Sequence, residues 1–531
     1  MGMYLNPGNM AFARNIKKNY IDKTGVIEIL NDTIGTSDNL TCVSRPRRFG
    51  KSFAANMLIA YYDHTCDSHE LFKPYHVSMS ESYEEHINKY NVIALDITGF
   101  ISSVKSVQGD IRDIPKLIQE NVKKELAEEY PELGEMTDYT MALKKYVELT
   151  GRMFIFVIDE WDALIREAKD DKLIQETYLN LLRGLFKNNN FTPYAVAAAY
   201  MTGILPIKKD GTQSAISDFQ EYSIINPGKF AQYTGFTENE VEMICQKNGQ
   251  TFQQAKLWYD GYQVGKEVSV YNPYSVMQAV KSGEYRSFWK YTSAADSLET
   301  YINMDFDGLQ EDVARLINGE EIEVSTDSFN NDLVSFRKKD DVLTSMIHLG
   351  YLSYNSETGQ VRIPNEEVRS EFGKLIENAS MTKLAGLIKA SDKLLKDTIA
   401  GDSKAVENAI GLIRESNYAP NFYNNEQALR YVIKFAYIVC VDKYMKIEEL
   451  PSGKGIADVV YIPKKNRPDP ALVIELKWDK TSDAAISQIK EKNYPAVLNE
   501  FEGDIILVGV NYNPNTKEHH CTIEQIRKSI V

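Results

Sequence analysis

Residues 40–63 read LTCVSRPRRFGKSFAANMLIAYYD, and the fold turns on how that stretch is parsed. LTCVS is a short apolar run rich in β-branched residues, and FAANMLIAYYD has the character of a buried helix. Between them lie Arg45, Pro46, Arg47, Arg48, Phe49, Gly50, Lys51 and Ser52. A phosphate-binding loop is written GxxxxGK[ST]; here the second Gly, the Lys and the Ser are in register, and Arg45 stands in the place of the first Gly. Gly50 lets the backbone approach phosphate and the helix start offers unpaired N–H groups. Lys51 can neutralise β/γ charge, and Ser52 can ligate Mg2+. Taken alone, the same residues could simply open a helix.

The loop gains meaning from FIFVIDE at 154–160, an apolar strand that ends in two carboxylates. A buried strand of this kind delivers Asp159 to the water shell of Mg2+ and lets Glu160 polarise an attacking water. A third apolar run, AVAAAYMTG at 195–203, sets Thr202 at its end, where the hydroxyl either senses a γ-phosphate or merely closes a strand. Arg45, Arg47 and Arg48 are read three ways: as phosphate contacts, as fingers toward a neighbouring chain, or as a solvated basic loop. With VIALDI at 92–97 and helical stretches in between, the order is strand and helix in alternation, which implies a parallel sheet covered on both faces.

Around this core, 531 residues exceed one ordinary domain, and the globular balance of 43% hydrophobic to 25% charged residues excludes a largely disordered or fibrous chain. Lys plus Arg number 60 against 75 Asp plus Glu, so any nucleic-acid contact has to come from a local groove rather than a broadly basic surface. Cys42, Cys66, Cys245, Cys440 and Cys521 are scattered without CxxC or CxxH spacing, which argues against a disulfide framework or zinc site. The N-terminal stretch lacks a signal-type apolar run, and YAVAAAYMTGILPI from Tyr194 is too short to span a bilayer. The expectation is a cytoplasmic protein with no membrane partner.

Three blocks follow from changes in hydrophobic period: 1–235, 236–400 and 401–531. The second opens with TENEVEMICQKNG, where Thr237 and Glu240 form a capping box, and reads mostly helical. Near its end, 340–368 offers a helix followed by two short strands around a Gly-containing turn, the outline of a winged helix. The third block has the order α-β-β-β-α-β.

YIDKT at 20–24, SRPRRFGKS at 44–52, DEWD at 159–162, MTGI at 201–204, GFTENEV at 235–241, WYDGY at 258–262, YNPYS at 271–275 and IPNEEV at 363–368 extend over most of the chain. Together they resemble the bacterial AAA-ATPase-like proteins whose C-terminal domain belongs to the PD-(D/E)XK nuclease superfamily. The resemblance implies an α/β chain with a P-loop NTPase core, a mostly helical middle region and a restriction-endonuclease-like α/β domain at the end. It also implies that Arg45 is that family's own version of the loop.

In the third block, Asp458 sits in GIADVVYIP, and Glu475 and Lys477 in PALVIELKW. Residues two apart on a strand share a face, and Asp458 on the preceding strand can lie beside them. Two carboxylates can hold Mg2+ or Mn2+ against a phosphodiester while Lys477 orients or deprotonates water. The alternative is a salt-bridged strand face. The family resemblance extends to Glu426, which completes the metal shell, and to Gln488 and Tyr494 on the helix after the strand. His519, His520 and Cys521 are read as a solvated polar turn, and the aromatics of WYDGY and YNPYS as packing rather than base-stacking groups.

The leading expectation is therefore an ATP- and Mg2+-dependent module controlling a Mg2+-dependent nuclease, with DNA as substrate and a second copy or another protein as partner. The rival expectation is a nucleotide switch whose last domain binds nucleic acid or protein without cutting; a third is a sensor whose middle segment recruits partners.

Overall fold

The computed structural model describes all residues except 1, 18–19, 208–215, 217, 266–267, 290–301, 303–305, 328, 330–335, 337, 379–381, 418–425, 453–454, 465–467, 492–497, 499–500 and 527–531. The chain divides into two compact units, Met1–Phe288 with Glu323–Pro364, and Trp289–Ile322 with Asn365–Val531. These divisions do not coincide with the block edges at 235 and 400. Compactness is set by contacts between segments distant in sequence, whereas the blocks follow local periodicity.

The first unit is built on five parallel strands, β1 (Leu40–Ser44), β2 (Asn91–Asp96), β3 (Phe154–Asp159), β4 (Val196–Gly203) and β5 (Gln220–Tyr222), in the order β2-β3-β4-β1-β5. Four were legible as apolar runs; β5 is short and lies at the edge, beyond a polar stretch. Side chains alternate across β3: Phe154, Phe156 and Ile158 join one apolar cluster, Ile155 and Val157 the other. Both faces are thus buried, as a parallel sheet requires, and each fully buried side chain of this size contributes about 1.5–3 kcal/mol. β4 lies between β1 and β3, with Val43 opposite Thr202 and Ile158 opposite Met201. The ends of the three strands therefore meet where α1 (Lys51–Tyr62) begins, and α2 (Ala163–Glu167) follows closely on β3.

Beyond the sheet, α3 (Glu238–Lys247) has the expected capping box: Glu240 Oε2 accepts from Thr237 N at 2.8 Å. The same carboxylate pairs with Lys23 of YIDKT at 2.7 Å. Trp258, Tyr259 and Tyr271 are buried with Val241 and Ile244, so these aromatics pack a core. Helix α4 (Lys339–Leu349) precedes antiparallel strands Ser353–Asn355 and Gln360–Arg362, the helix-plus-hairpin expected there; it belongs to the first compact unit.

The second unit contains α5 (Glu426–Ala436), β6 (Tyr444–Ser452), β7 (Gly455–Pro463), β8 (Ala471–Trp478), α6 (Ser482–Glu491), β9 (Ile505–Asn513) and β10 (Glu518–Ile526). The strands lie in chain order; β8 and β9 are parallel and the other neighbours antiparallel. β10 is an addition to the expected order. His519, His520 and Cys521 therefore lie on a strand rather than a turn: Cys521 pairs across to Val510 and its N–H reaches Glu407 Oε1 at 3.0 Å. Among the described residues no helix is long and apolar enough to cross a membrane.

Candidate nucleotide and metal sites

The loop after β1 is shaped by Gly50, whose φ of +88° places it where L side chains are strained although space beside it is open. Lys51 is buried at the first position of α1, its Nζ donating to Arg45 O and Pro46 O at 3.0 Å each and lying 3.3 Å from Glu160 Oε1. The ammonium is held over the mouth of the loop by groups that phosphate oxygens can replace.

Asp159, at the end of β3, accepts from Thr202 Oγ1 and Ser52. Burial pushes its carboxyl above the ordinary range, opposed by those two hydroxyls. A desolvated carboxylate beside Ser52 is a donor set suited to a hard divalent cation, so the residues fit Mg2+. Thr202 is fully buried, and its hydroxyl also accepts Glu160 N at 3.2 Å. It joins the two carboxylate residues rather than simply closing a strand.

Glu160 adopts φ +54°, and both its oxygens are engaged: Oε1 by Lys51, and Oε2 by Arg166 of α2 at 2.7 Å. Burial would raise its carboxyl, but Lys51 and then Arg166 bring it below the ordinary value. Arg166 is itself forked, its Nε reaching Asp162 at 2.9 Å. Asp162, only 1% exposed, accepts the N–H groups of Ile204 at 3.2 Å and Leu205 at 2.9 Å, fastening the end of β3 to the end of β4. The roles of Asp162 and Arg166 were not read from sequence, although their i,i+4 spacing just after the carboxylate pair is a usable signal.

The three loop arginines separate. Arg45 has no exposed surface; its guanidinium donates to Thr234 Oγ1 at 2.7 Å, Tyr222 O at 2.8 Å and Ser44 O at 2.9 Å. The expectation that its side chain reaches phosphate gives way, because the side chain turns inward to satisfy backbone carbonyls; only its own carbonyl belongs to the loop mouth. Arg48 donates to Phe288 O at 2.7 Å and lies 4.2 Å over the Tyr274 ring, and Phe49 meets Tyr262 edge-on at 5.1 Å. Pro46 is buried, whereas Arg47 is exposed and feels the charges of Arg166, Glu160 and Asp162. Of the three, Arg47 is the one whose side chain is exposed.

In the second unit, the pairing of Val459 with Ile474 carries Asp458 next to Glu475, and Asp458 Oδ2 accepts Leu476 N at 2.8 Å. Glu475 is 1% exposed; its Oε1 receives Lys477 Nζ at 3.2 Å and the Gln488 side-chain amide. Lys477 also donates to Leu476 O at 2.9 Å. Asp458, Glu475, Lys477 and Gln488 are thus brought together as expected. Tyr494 lies outside the described residues. Glu426 stands exposed at the first position of α5; among the described side chains of that helix, Arg430 reaches the pair through an ion pair with Asp458. Among the described residues no group of three or more His, Cys, Asp or Glu gathers as for a metal. Two buried hard carboxylates side by side, each with a cation already against it, still fit a divalent ion that displaces one of those cations.

A parallel sheet with a phosphate loop after β1 and paired acids after β3 defines a P-loop NTPase-type core, and the mixed sheet carrying D…ExK defines a nuclease-type domain. Family models agree: residues 8–213 match "Predicted AAA-ATPase" and residues 424–521 match the "PD-(D/E)XK nuclease superfamily". The chain therefore carries one domain of each family, as the sequence resemblance implied. Similar solved structures include the Aeropyrum pernix ORC2 protein (12% identity, 68% of this chain and 97% of that one, TM-score 0.32) and C. elegans PCH-2 (12%, 64% and 72%, TM-score 0.24). Likeness at these scores supports no functional inference. No curated protein matches the chain.

Proposed function

We propose that the first unit binds and hydrolyses ATP with Mg2+, and that its nucleotide state governs a second unit that cleaves DNA with Mg2+ or Mn2+. The observation that carries the nuclease half is the convergence of buried Asp458 and Glu475 with Lys477. In this reading Asp458 and Glu475 would hold the metal, which when bound would supply Lewis-acid polarisation of the phosphodiester, while Lys477 orients or deprotonates the attacking water. In the first unit, Lys51 and the loop N–H groups take the phosphates, Ser52 and Asp159 take Mg2+, and Glu160 acts on water. In this reading the protein acts in the cytoplasm, in genome maintenance, mobile-element traffic or defence, as a homo-oligomer or with a protein partner.

The test is Mg2+- and Mn2+-dependent cleavage of plasmid, linear duplex and single-stranded DNA and of RNA, with and without ATP. Wild type should cleave DNA and Lys477→Ala should not. Absence of cleavage under every condition, or equal cleavage by Lys477→Ala, defeats the nuclease reading. A second reading, a switch that binds without cutting, has one observation in its favour: Asp458 is already paired with Arg430.

A further inference from the structure

Charge counting in the second site isolates one residue. Glu475 is matched by Lys477 at 3.2 Å, and Asp458 by Arg430. The side chains of Arg430 and Asp458 are 16% and 10% exposed, so solvent screens the pair only weakly. Gln488, a further donor to Glu475 among the described residues, is neutral. Among these described groups, Asp458, Glu475 and Lys477 sum to one net negative charge, and Arg430 brings the sum to zero. Coulomb attraction for a divalent cation depends on that residual charge, and a guanidinium on a carboxylate also occupies the lone pairs a metal would use.

We propose that Arg430 is the affinity-setting residue of this metal site: its guanidinium holds the cation place at Asp458, and a divalent ion enters only by displacing it. The inference rests on reading Asp458 and Glu475 as metal ligands. Arg430 acts through Asp458 and is a positioning residue. Its signature is a gain on removal. Damage to a fold weakens metal binding, whereas loss of a competing cation strengthens it.

The experiment titrates Mn2+ alone into the full chain, read by the electron paramagnetic resonance of free Mn2+ and by the Mn2+-induced rise in unfolding temperature. Arg430→Gln should bind Mn2+ about tenfold more tightly than wild type, a change of about 1.4 kcal/mol, and gain a larger temperature shift. Arg430→Gln combined with Asp458→Asn should return to weak or no binding. Arg430→Lys keeps the charge but loses the planar fork, and should fall between wild type and Arg430→Gln. If folded Arg430→Gln binds Mn2+ no better than wild type, while wild type does bind, the inference is overturned and the metal site stands. If no form binds Mn2+, the metal reading falls and takes the inference with it. Should Arg430→Gln fail to fold, Arg430→Lys decides: affinity equal to or weaker than wild type overturns the proposal.

Discussion

The two candidate sites treat their acidic residues differently. In the first, Glu160 is bracketed by Lys51 and Arg166, and Arg166 is anchored in turn to Asp162, itself fixed by two backbone N–H groups. One of the two cations, Lys51, is also the residue that phosphate would attract, so ligand arrival and release of Glu160 Oε1 are the same event. In the second, Asp458 pairs with Arg430 and Glu475 with Lys477, and among the described ion pairs no cation bridges the two acids in the way Arg166 bridges Glu160 and Asp162. The first arrangement is a relay in which one exchange alters the next; the second is a pair of separate neutralisations. A ligand at the first site should therefore rearrange several residues, while a metal at the second acts locally.

The strongest way to break this contrast is to show that the sites are not chemically separate. Glu160→Gln should lower ATP hydrolysis by roughly 10²–10⁴-fold, the usual worth of a positioned acid–base group. It should leave ATP affinity within a few-fold and Mn2+ binding by the second unit unchanged. Lys477→Ala should abolish cleavage with ATP hydrolysis intact. Lys51→Ala should weaken ATP binding by roughly 10–100-fold, since a charged hydrogen-bond donor of this kind contributes about 1.5–3 kcal/mol. Calorimetry for nucleotide, phosphate release for turnover and gel assays for cleavage check each arm. Loss of Mn2+ binding in Glu160→Gln would dissolve the separation.

A smaller effect sharpens the account of the loop arginines. Arg45→Met removes a buried guanidinium that satisfies Tyr222 O, Ser44 O and Thr234 Oγ1, and should cost the first unit about 3 kcal/mol. Arg47→Ala, at an exposed position, should change stability by less than about 0.5 kcal/mol and act on ATP affinity instead. Denaturant unfolding paired with nucleotide calorimetry separates the two; equal stability losses would mean that both side chains are structural.

What was legible in the sequence follows the same physical line. The phosphate loop is contiguous, its strand and helix flank it within a few residues, and FIFVIDE announces both its burial and its acidic end, so the elements that frame the first candidate site were readable, while Asp162 and Arg166 were not. ELK on one strand fixes Glu475 and Lys477 on a common face by alternation alone. Arg430 was not readable, because its partner lies 28 residues on and only packing of α5 near β7 and β8 brings them together. Arg45 looked like a phosphate ligand because loop arginines usually are exposed; its inward turn depends on the Tyr222 carbonyl of β5 and on Thr234, both distant in sequence. β10 was missed because EHHCTIEQI alternates weakly and opens on polar residues, which resemble a turn until the partner strand is known.

An effect seen only on acidification concerns a buried histidine in each unit, His348 and His519. Burial pulls His348 of α4 down to about 3, with the Arg45 charge opposing its protonation further. Burial likewise pulls His519 of β10 down to about 4, aided by Arg414 and His520 and resisted by Glu407. Both are bases depressed below the ordinary histidine value near 6.5, so between the folded and unfolded values the unfolded chain holds a proton that the folded one lacks. Stability then rises with pH and is lost on acidification, by at most about 1.4 kcal/mol per pH unit for each histidine. Replacing either by Gln should reduce the loss between pH 7 and pH 5 by up to about 2 kcal/mol, read unit by unit through hydrogen exchange. The two should part company below pH 4: the His519 contribution saturates as that ring protonates in the folded unit, while the His348 contribution continues toward pH 3. Equal slopes for wild type and His348→Gln across pH 4–6 would mean that the α4 histidine is hydrated and that the environment inferred around Arg45 is not a dry one.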